Sequence, residues 1–166
     1  MSAAAFKLCM LGDFGVGKTS LVSRFVHTTF SEKYLTTVGV KVDSKKITLP
    51  GRAPCKLVLW DIAGRSHLDA LNMTYLRGAS ALLLVADGTR ERSLHTALEL
   101  LMQARTLLPD AAVVLAVNKL DLIERWEVAP AALEEIRRTL PVHETSARTG
   151  EGVESAFVDI AARLLG

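Results

Sequence analysis

An α/β sandwich is the fold class this sequence predicts, and three observations predict it. Short apolar runs alternate with segments of helical periodicity along the chain. Two of the runs, 81–86 and 112–117, are apolar throughout, as strands must be when helices cover both faces of a parallel sheet. Polar motifs recur directly after strands, at the carboxyl ends where such sheets bind ligands.

The elements follow in order. Residues 6–11 form a short apolar strand that stops at Gly12, and a helical pattern begins near Gly17 and runs through Leu21, Val22, Phe25 and Val26. Segments 38–49 and 55–62 are β-rich and flank Pro50-Gly51-Arg52-Ala53-Pro54, a sequence suited to a reversal of the chain. That link is too short for a crossover helix, so the two strands are expected to be antiparallel. Alternation then continues: helix 67–76, strand 81–86, helix 93–107, strand 112–117, helix 130–140, a strand at Val142 and His143, and helix 153–165. With no internal repeat or interdomain linker, residues 1–166 are expected to form one domain.

Composition excludes several function classes. A formal net charge of +2, with both signs spread along the chain, is unlike the basic stripe of a nucleic-acid binder. The longest apolar runs are strand-length, far short of the roughly 20 residues a membrane span needs. Cys9 and Cys55 have neither metal-site spacing nor a disulfide framework around them, and are read as reduced thiols of a cytoplasmic protein. His27, His67, His95 and His143 are scattered and receive no metal or catalytic role, and Arg90-Glu91-Arg92 reads as a solvated helix start.

Chemistry enters at Gly12-Asp13-Phe14-Gly15-Val16-Gly17-Lys18-Thr19, which fits GxxxxGK[ST] after a strand and before a helix. Glycines let the backbone curl so that successive N–H groups face a phosphate chain, and the helix start, Ser20 included, adds its partial positive charge. Lys18 would bridge the outer phosphates and the Thr19 hydroxyl would ligate Mg²⁺. The loop alone specifies a nucleoside triphosphate, not its base.

The base is read further on. Asn118-Lys119-Leu120-Asp121 follows the strand ending at Val117; one carboxylate, Asp121, can accept both guanine N1–H and the exocyclic amine, a donor pair that adenine lacks. Asn118, Lys119 and Leu122 are expected to line the nucleotide with Asp121. Glu144-Thr145-Ser146-Ala147, with Arg148 next, comes after the last short strand, where a backbone N–H could meet the guanine O6. Each motif alone has the reading of an ordinary polar turn; their order, each behind its own strand, favours guanine.

Taken together these motifs resemble the Ras superfamily of small GTPases over nearly the whole chain. The resemblance implies a P-loop NTPase fold, a three-layer α/β/α sandwich with a six-stranded mixed sheet and about five helices. It implies GTP, GDP and Mg²⁺ as ligands. Phe30 is similar to the aromatic residue that stacks on the purine and Tyr34 to the tyrosine that closes over the phosphates. Thr37 resembles the switch threonine that binds Mg²⁺ and the γ-phosphate; in Asp61-Ile62-Ala63-Gly64, Asp61 would hold Mg²⁺ through water and the Gly64 N–H would meet the γ-phosphate. Effector, activator and exchange-factor proteins are the implied partners, engaged through the switch loops. Trp60 and Tyr75-Leu76-Arg77-Gly78-Ala79 look most like the Rab branch, although Val42 stands where Rab proteins carry phenylalanine, and Trp60 and Tyr75 also read as plain core residues.

Three departures mark the chain. Arg65 stands where the family has the glutamine that orients the attacking water, and a guanidinium has donors only, so slow hydrolysis is expected of the catalytic set Lys18, Thr37, Gly64 and Arg65. Arg65 also reads as a solvated loop residue or as an internal arginine finger. Phe14 places a ring in the phosphate loop, where an activator's arginine would arrive. The ending Ala161-Ala162-Arg163-Leu164-Leu165-Gly166 offers no prenylation cysteine or polybasic tail, and Met1-Ser2 no myristoylation glycine, so no direct membrane anchor is expected in this chain. Three classes stand: a regulatory GTPase, a GTP-binding scaffold with impaired catalysis, and a different phosphate-loop ATPase or kinase.

Overall fold

The computed structural model describes residues 3–27, 40–62 and 70–166. Six strands, β1 (Ala4–Leu11), β2 (Val40–Ile47), β3 (Cys55–Ile62), β4 (Ala81–Asp87), β5 (Ala112–Asn118) and β6 (Val142–Glu144), form one sheet in the order β2-β3-β1-β4-β5-β6. Every neighbouring pair is parallel except β2 and β3, which run antiparallel in the register Val42↔Trp60. The described residues also contain five α-helices: α1 (Lys18–His27), α2 (Ala70–Leu76), α3 (Glu91–Arg105), α4 (Pro130–Arg137) and α5 (Val153–Leu165). The expected mixed α/β/α sheet architecture is therefore the observed one.

Alternation of side chains across the pleat makes two cores from one sheet. Leu8 and Met10 of β1, Leu83 and Val85 of β4, and Val114 and Ala116 of β5 pack with Leu21 and Phe25 of α1 and Phe157 and Ile160 of α5. Their neighbours Cys9, Leu11, Leu82, Leu84, Val113 and Leu115 point the other way, onto Leu94, Ala97 and Leu100 of α3 and Leu133 of α4. Phe25 and Phe157 stack with centroids 4.0 Å apart and planes 6° from parallel, which locks α1 against α5.

Several boundaries differ from the sequence reading. Helix α3 starts at Glu91, ahead of the first apolar position Leu94, because Arg90 N–H bonds the Asp87 carbonyl and the Ser93 hydroxyl donates to the Arg90 carbonyl, closing the turn with polar groups. Helix α4 stops at Arg137 and unwinds through three-residue turns, Thr139 N–H to the Ile136 carbonyl among them, before Pro141. A 3₁₀ turn over Leu120–Arg125 carries no apolar period and was not expected.

Trp60 and Tyr75 are half-buried, not simply core residues. Their rings lie 6.1 Å apart, the Lys7 ammonium sits 3.8 Å from the Trp60 ring centre, and Val42 beside Trp60 is 50% exposed. His143 has a defined partner: its Nε2 lies 2.7 Å from Asp159 Oδ2, and Arg163 Nε donates to Asp159 Oδ1 at 2.8 Å.

Candidate functional site

The carboxyl ends of β1, β3, β4, β5 and β6 bring five polar segments to one edge of the sheet. The first is the phosphate-type loop. Gly15 and Gly17 have φ of 77° and 102°, the left-handed region, and a Cβ at Gly17 would strike the Asn118 side-chain amide. Val16 is fully buried and pins the loop into the core below. Phe14 N–H donates to Asp13 Oδ1 at 2.8 Å, while the N–H groups of Gly15, Val16 and Gly17 have no acceptor among the described residues. Three unpaired N–H groups on a left-handed curl form a nest for an anion.

Lys18, at the first turn of α1, is buried; its Nζ donates to the Gly12 carbonyl at 2.8 Å and the Asp13 carbonyl at 3.2 Å. Burial pushes its pKa down to about 8 against the attraction of Asp61 and Asp13, so the charged form is under-compensated and favours an added anion. Next to it the Thr19 hydroxyl donates to Oδ2 of Asp61. Asp61 is buried at the end of β3, and that burial raises its pKa above the ordinary carboxylate value, against the Thr19 hydrogen bond and the charges of Lys18 and Lys41. A hydroxyl and a buried carboxylate are hard oxygen donors that fit Mg²⁺ with phosphate oxygens and water completing its shell. Among the described residues no group of three or more His, Cys, Asp or Glu could hold a metal by itself. Ser20, next in α1, is buried.

Asn118 ends β5 only 2% exposed, and its side chain braces the protein while one of its two Nδ2 hydrogens keeps no acceptor among the described residues. Its Nδ2 donates to the Val16 carbonyl at 3.0 Å, and its Oδ1 accepts the Thr145 hydroxyl at 3.1 Å and the Ala147 N–H at 3.2 Å. It brackets three loops. Lys119 follows with φ of 73°, rare for a residue with a side chain, and its Nζ lies 2.9 Å from Asp87 Oδ2. Asp121 is exposed at the start of the 3₁₀ turn, and Ser146 Oγ donates to its Oδ1 at 2.8 Å. Leu122, inside that turn, is half-buried.

The loop after β6 is tied as tightly. Leu120 N–H bonds the Thr145 carbonyl, and Arg24 of α1 donates to the carbonyls of Ala147, at 2.8 Å, and of Arg148. The N–H groups of Thr145, Ser146 and Ala147 already have acceptors, and Arg148 alone between Thr145 and Glu151 has an N–H with none among the described residues. Arg148, expected with Ser146 and Ala147 among the nucleotide-binding residues, is thus the one whose N–H is left open in this loop.

Sequence reasoning missed two residues here. Asp87, 1% exposed at the end of β4, accepts the N–H and hydroxyl of Thr89 on Oδ1, at 2.9 and 2.7 Å, and Arg90 Nε and Lys119 Nζ on Oδ2, at 3.2 and 2.9 Å. Burial opposes ionisation, yet the Thr89 and Lys119 contacts outweigh it and hold Asp87 below the ordinary carboxylate range. Its position after an apolar strand was the available signal. Arg90 is no free solvated residue: it reaches back to the phosphate-type loop, donating to the Phe14 carbonyl at 2.7 Å. No pattern in the sequence announces that contact. Phe30, Tyr34, Thr37, Gly64 and Arg65, and His67, lie outside the described residues.

Comparison with known proteins gives a family. The model of the Ras family matches residues 7–166. Ras-related protein Rab-30 of Homo sapiens, Bos taurus and Mus musculus is 36% identical over 163 residues in each case, covering 96% of this chain and 80% of the relative. With the phosphate-type loop, Asp61 and both base-type loops inside the matched span, the chain belongs to the Ras family and is a Rab-like small GTPase.

Proposed function

We propose that this chain, as one nucleotide-binding unit, holds GTP or GDP with Mg²⁺ at the sheet edge described above and hydrolyses GTP slowly. The observation that carries the reading is Asp121: an exposed carboxylate, oriented through one oxygen by Ser146, two residues before the Arg148 N–H that has no acceptor among the described residues. A carboxylate beside an N–H donor matches guanine's two donors and O6 acceptor, and matches adenine at neither end.

In this reading Gly15, Val16 and Gly17 donate N–H groups to the phosphates and Lys18 supplies charge there. Thr19 and Asp61 hold Mg²⁺, which when bound would neutralise charge developing on the phosphates. Asn118 and Lys119 fix the loops around the base and line the nucleotide together with Asp121. Phe30 and Tyr34 would cover the base and phosphates, and Thr37 and Gly64 would tether the two switch loops to the γ-phosphate, exposing a different surface to effector, activator and exchange-factor proteins once it leaves. The half-open Trp60, Tyr75 and Val42 face is the surface we assign to effectors. The two free, buried thiols suit a cytoplasmic setting, where thiols stay reduced.

A second reading, a scaffold with impaired catalysis, is favoured by one specific observation. Phe14 is 78% exposed on the loop, where its ring would stand in the path of an activator's arginine. Mass spectrometry of nucleotide released from the purified protein tests the first reading: guanosine phosphates are expected, and adenosine phosphates, or displacement of the bound nucleotide by ATP, overturn it in favour of another phosphate-loop enzyme. Release of inorganic phosphate from bound GTP separates the GTPase from the scaffold.

A further inference from the structure

The loop segment at Phe14 is not held by its own side chain, which is 78% exposed. It is held by polar contacts on both sides of the residue. Asp13 Oδ1 accepts the Phe14 N–H at 2.8 Å, Arg90 Nη2 donates to the Phe14 carbonyl at 2.7 Å, and Arg90 Nη1 lies 3.8 Å from Asp13 Oδ2, closing a ring. The guanidinium is itself fixed by Nε on Asp87 Oδ2 at 3.2 Å, the same oxygen that takes Lys119 at 2.9 Å.

A trans peptide points its C=O and N–H in opposite directions. The carbonyl that Arg90 holds belongs to the same peptide as the Gly15 N–H, one of the three N–H groups with no acceptor among the described residues. Gly15 has φ of 77° and no side chain to constrain it, so its peptide plane would otherwise swing freely. We propose that Arg90 is a positioning residue for the nucleotide phosphates: anchored on Asp87, it holds the Phe14 carbonyl outward and thereby turns the Gly15 N–H into the phosphate cradle. This rests on the nucleotide reading of the site. It also joins the two halves of that site, because Asp87 carries Arg90 of the phosphate side and Lys119 of the base side on one oxygen.

The test uses the whole chain loaded with GDP. Dissociation of a fluorescent GDP analogue is timed for wild type, Arg90→Ala and Arg90→Lys, and the Gly15 amide proton is followed by NMR in ¹⁵N-labelled, GDP-loaded protein. Loss of one charge-assisted hydrogen bond and the order it imposes predicts about tenfold faster release from R90A, with part of the loss recovered in R90K. The Gly15 amide proton, shifted downfield by its phosphate contact, is expected to move upfield in R90A. A merely structural arginine would leave that proton in place. Release unchanged within twofold, or faster release with the Gly15 amide unmoved, overturns the proposal. Should R90A fail to fold, the same two readouts on R90K decide. A wild-type protein that holds no GDP overturns the site reading and this inference with it, whereas wild-type retention with unaltered variants overturns this inference alone.

Discussion

Asn118 and Val16, 102 positions apart in sequence, are joined by a hydrogen bond of 3.0 Å from the Asn118 amide to the Val16 carbonyl, entirely inside the protein. The same side chain accepts from Thr145 and Ala147, so its removal strands three partners in a buried place. Asn118→Ala is therefore expected to lower unfolding free energy by about 2–4 kcal/mol, more than a surface change in this loop would. Urea unfolding measured with and without GDP checks it. A loss under 0.5 kcal/mol in the GDP-free protein would show that the bracket contributes little.

Asp121 presents the opposite case, since it is exposed and, among the described residues, its carboxylate accepts only from Ser146. Asp121→Ala should leave stability within about 0.5 kcal/mol. Two charge-assisted hydrogen bonds to the base would be lost, and GDP affinity is expected to fall by at least about a hundredfold. Calorimetric titration with GDP and with ADP measures both arms; GDP affinity unchanged in the variant removes the basis for guanine selectivity.

Asp87 gives the chain a pH dependence of definite sign. Its folded pKa lies below the ordinary carboxylate value, so the folded state binds fewer protons and the stabilising contribution is complete above that ordinary value. It is lost as pH falls through the lowered folded value. Asp87→Asn keeps the shape but removes the charge facing Arg90 and Lys119, and is expected to cost on the order of 2 kcal/mol at pH 7. Denaturant titrations from pH 7 to pH 2 should show the two proteins converging in acid. Parallel curves, with the gap unchanged at pH 2, would mean that the carboxylate's charge is not what stabilises.

Much of this architecture was legible because periodicity and position are local properties. Leu82 to Ala86 are apolar on both faces since α3 lies over one and α1 and α5 over the other, and that requirement is written into consecutive residues. The GxxxxGK[ST] loop was legible because the Val85 carbonyl leaves no room for a Cβ at Gly12, and the positive φ at Gly17 and the buried charge of Lys18 each demand a particular residue type. Asn118 was legible as a position behind a strand, but its bracing of three loops was not: which partners a buried amide meets depends on what folds beside it. Arg90 was read as solvated for the same reason, its partner Phe14 lying 76 residues away. The 3₁₀ turn after Lys119 escaped notice because it is set by capping and by the left-handed φ at Lys119, not by an apolar stripe.

Hydrolysis supplies the last prediction, and it turns on Arg65. Positioning the attacking water in this family calls for a side chain that accepts a hydrogen bond, and a guanidinium has five donors and no acceptor. Glutamine restores an acceptor of similar reach. Single-turnover hydrolysis of bound GTP should therefore be faster in Arg65→Gln than in wild type, by about tenfold if water orientation alone limits the rate. Arginine can instead stabilise negative charge on the transferring phosphoryl group, as an arginine finger does, and the two roles predict opposite signs. A variant several times slower than wild type would establish Arg65 as the charge that the reaction uses. A faster one would mean that the chain is held in its GTP state by the loss of one hydrogen-bond acceptor.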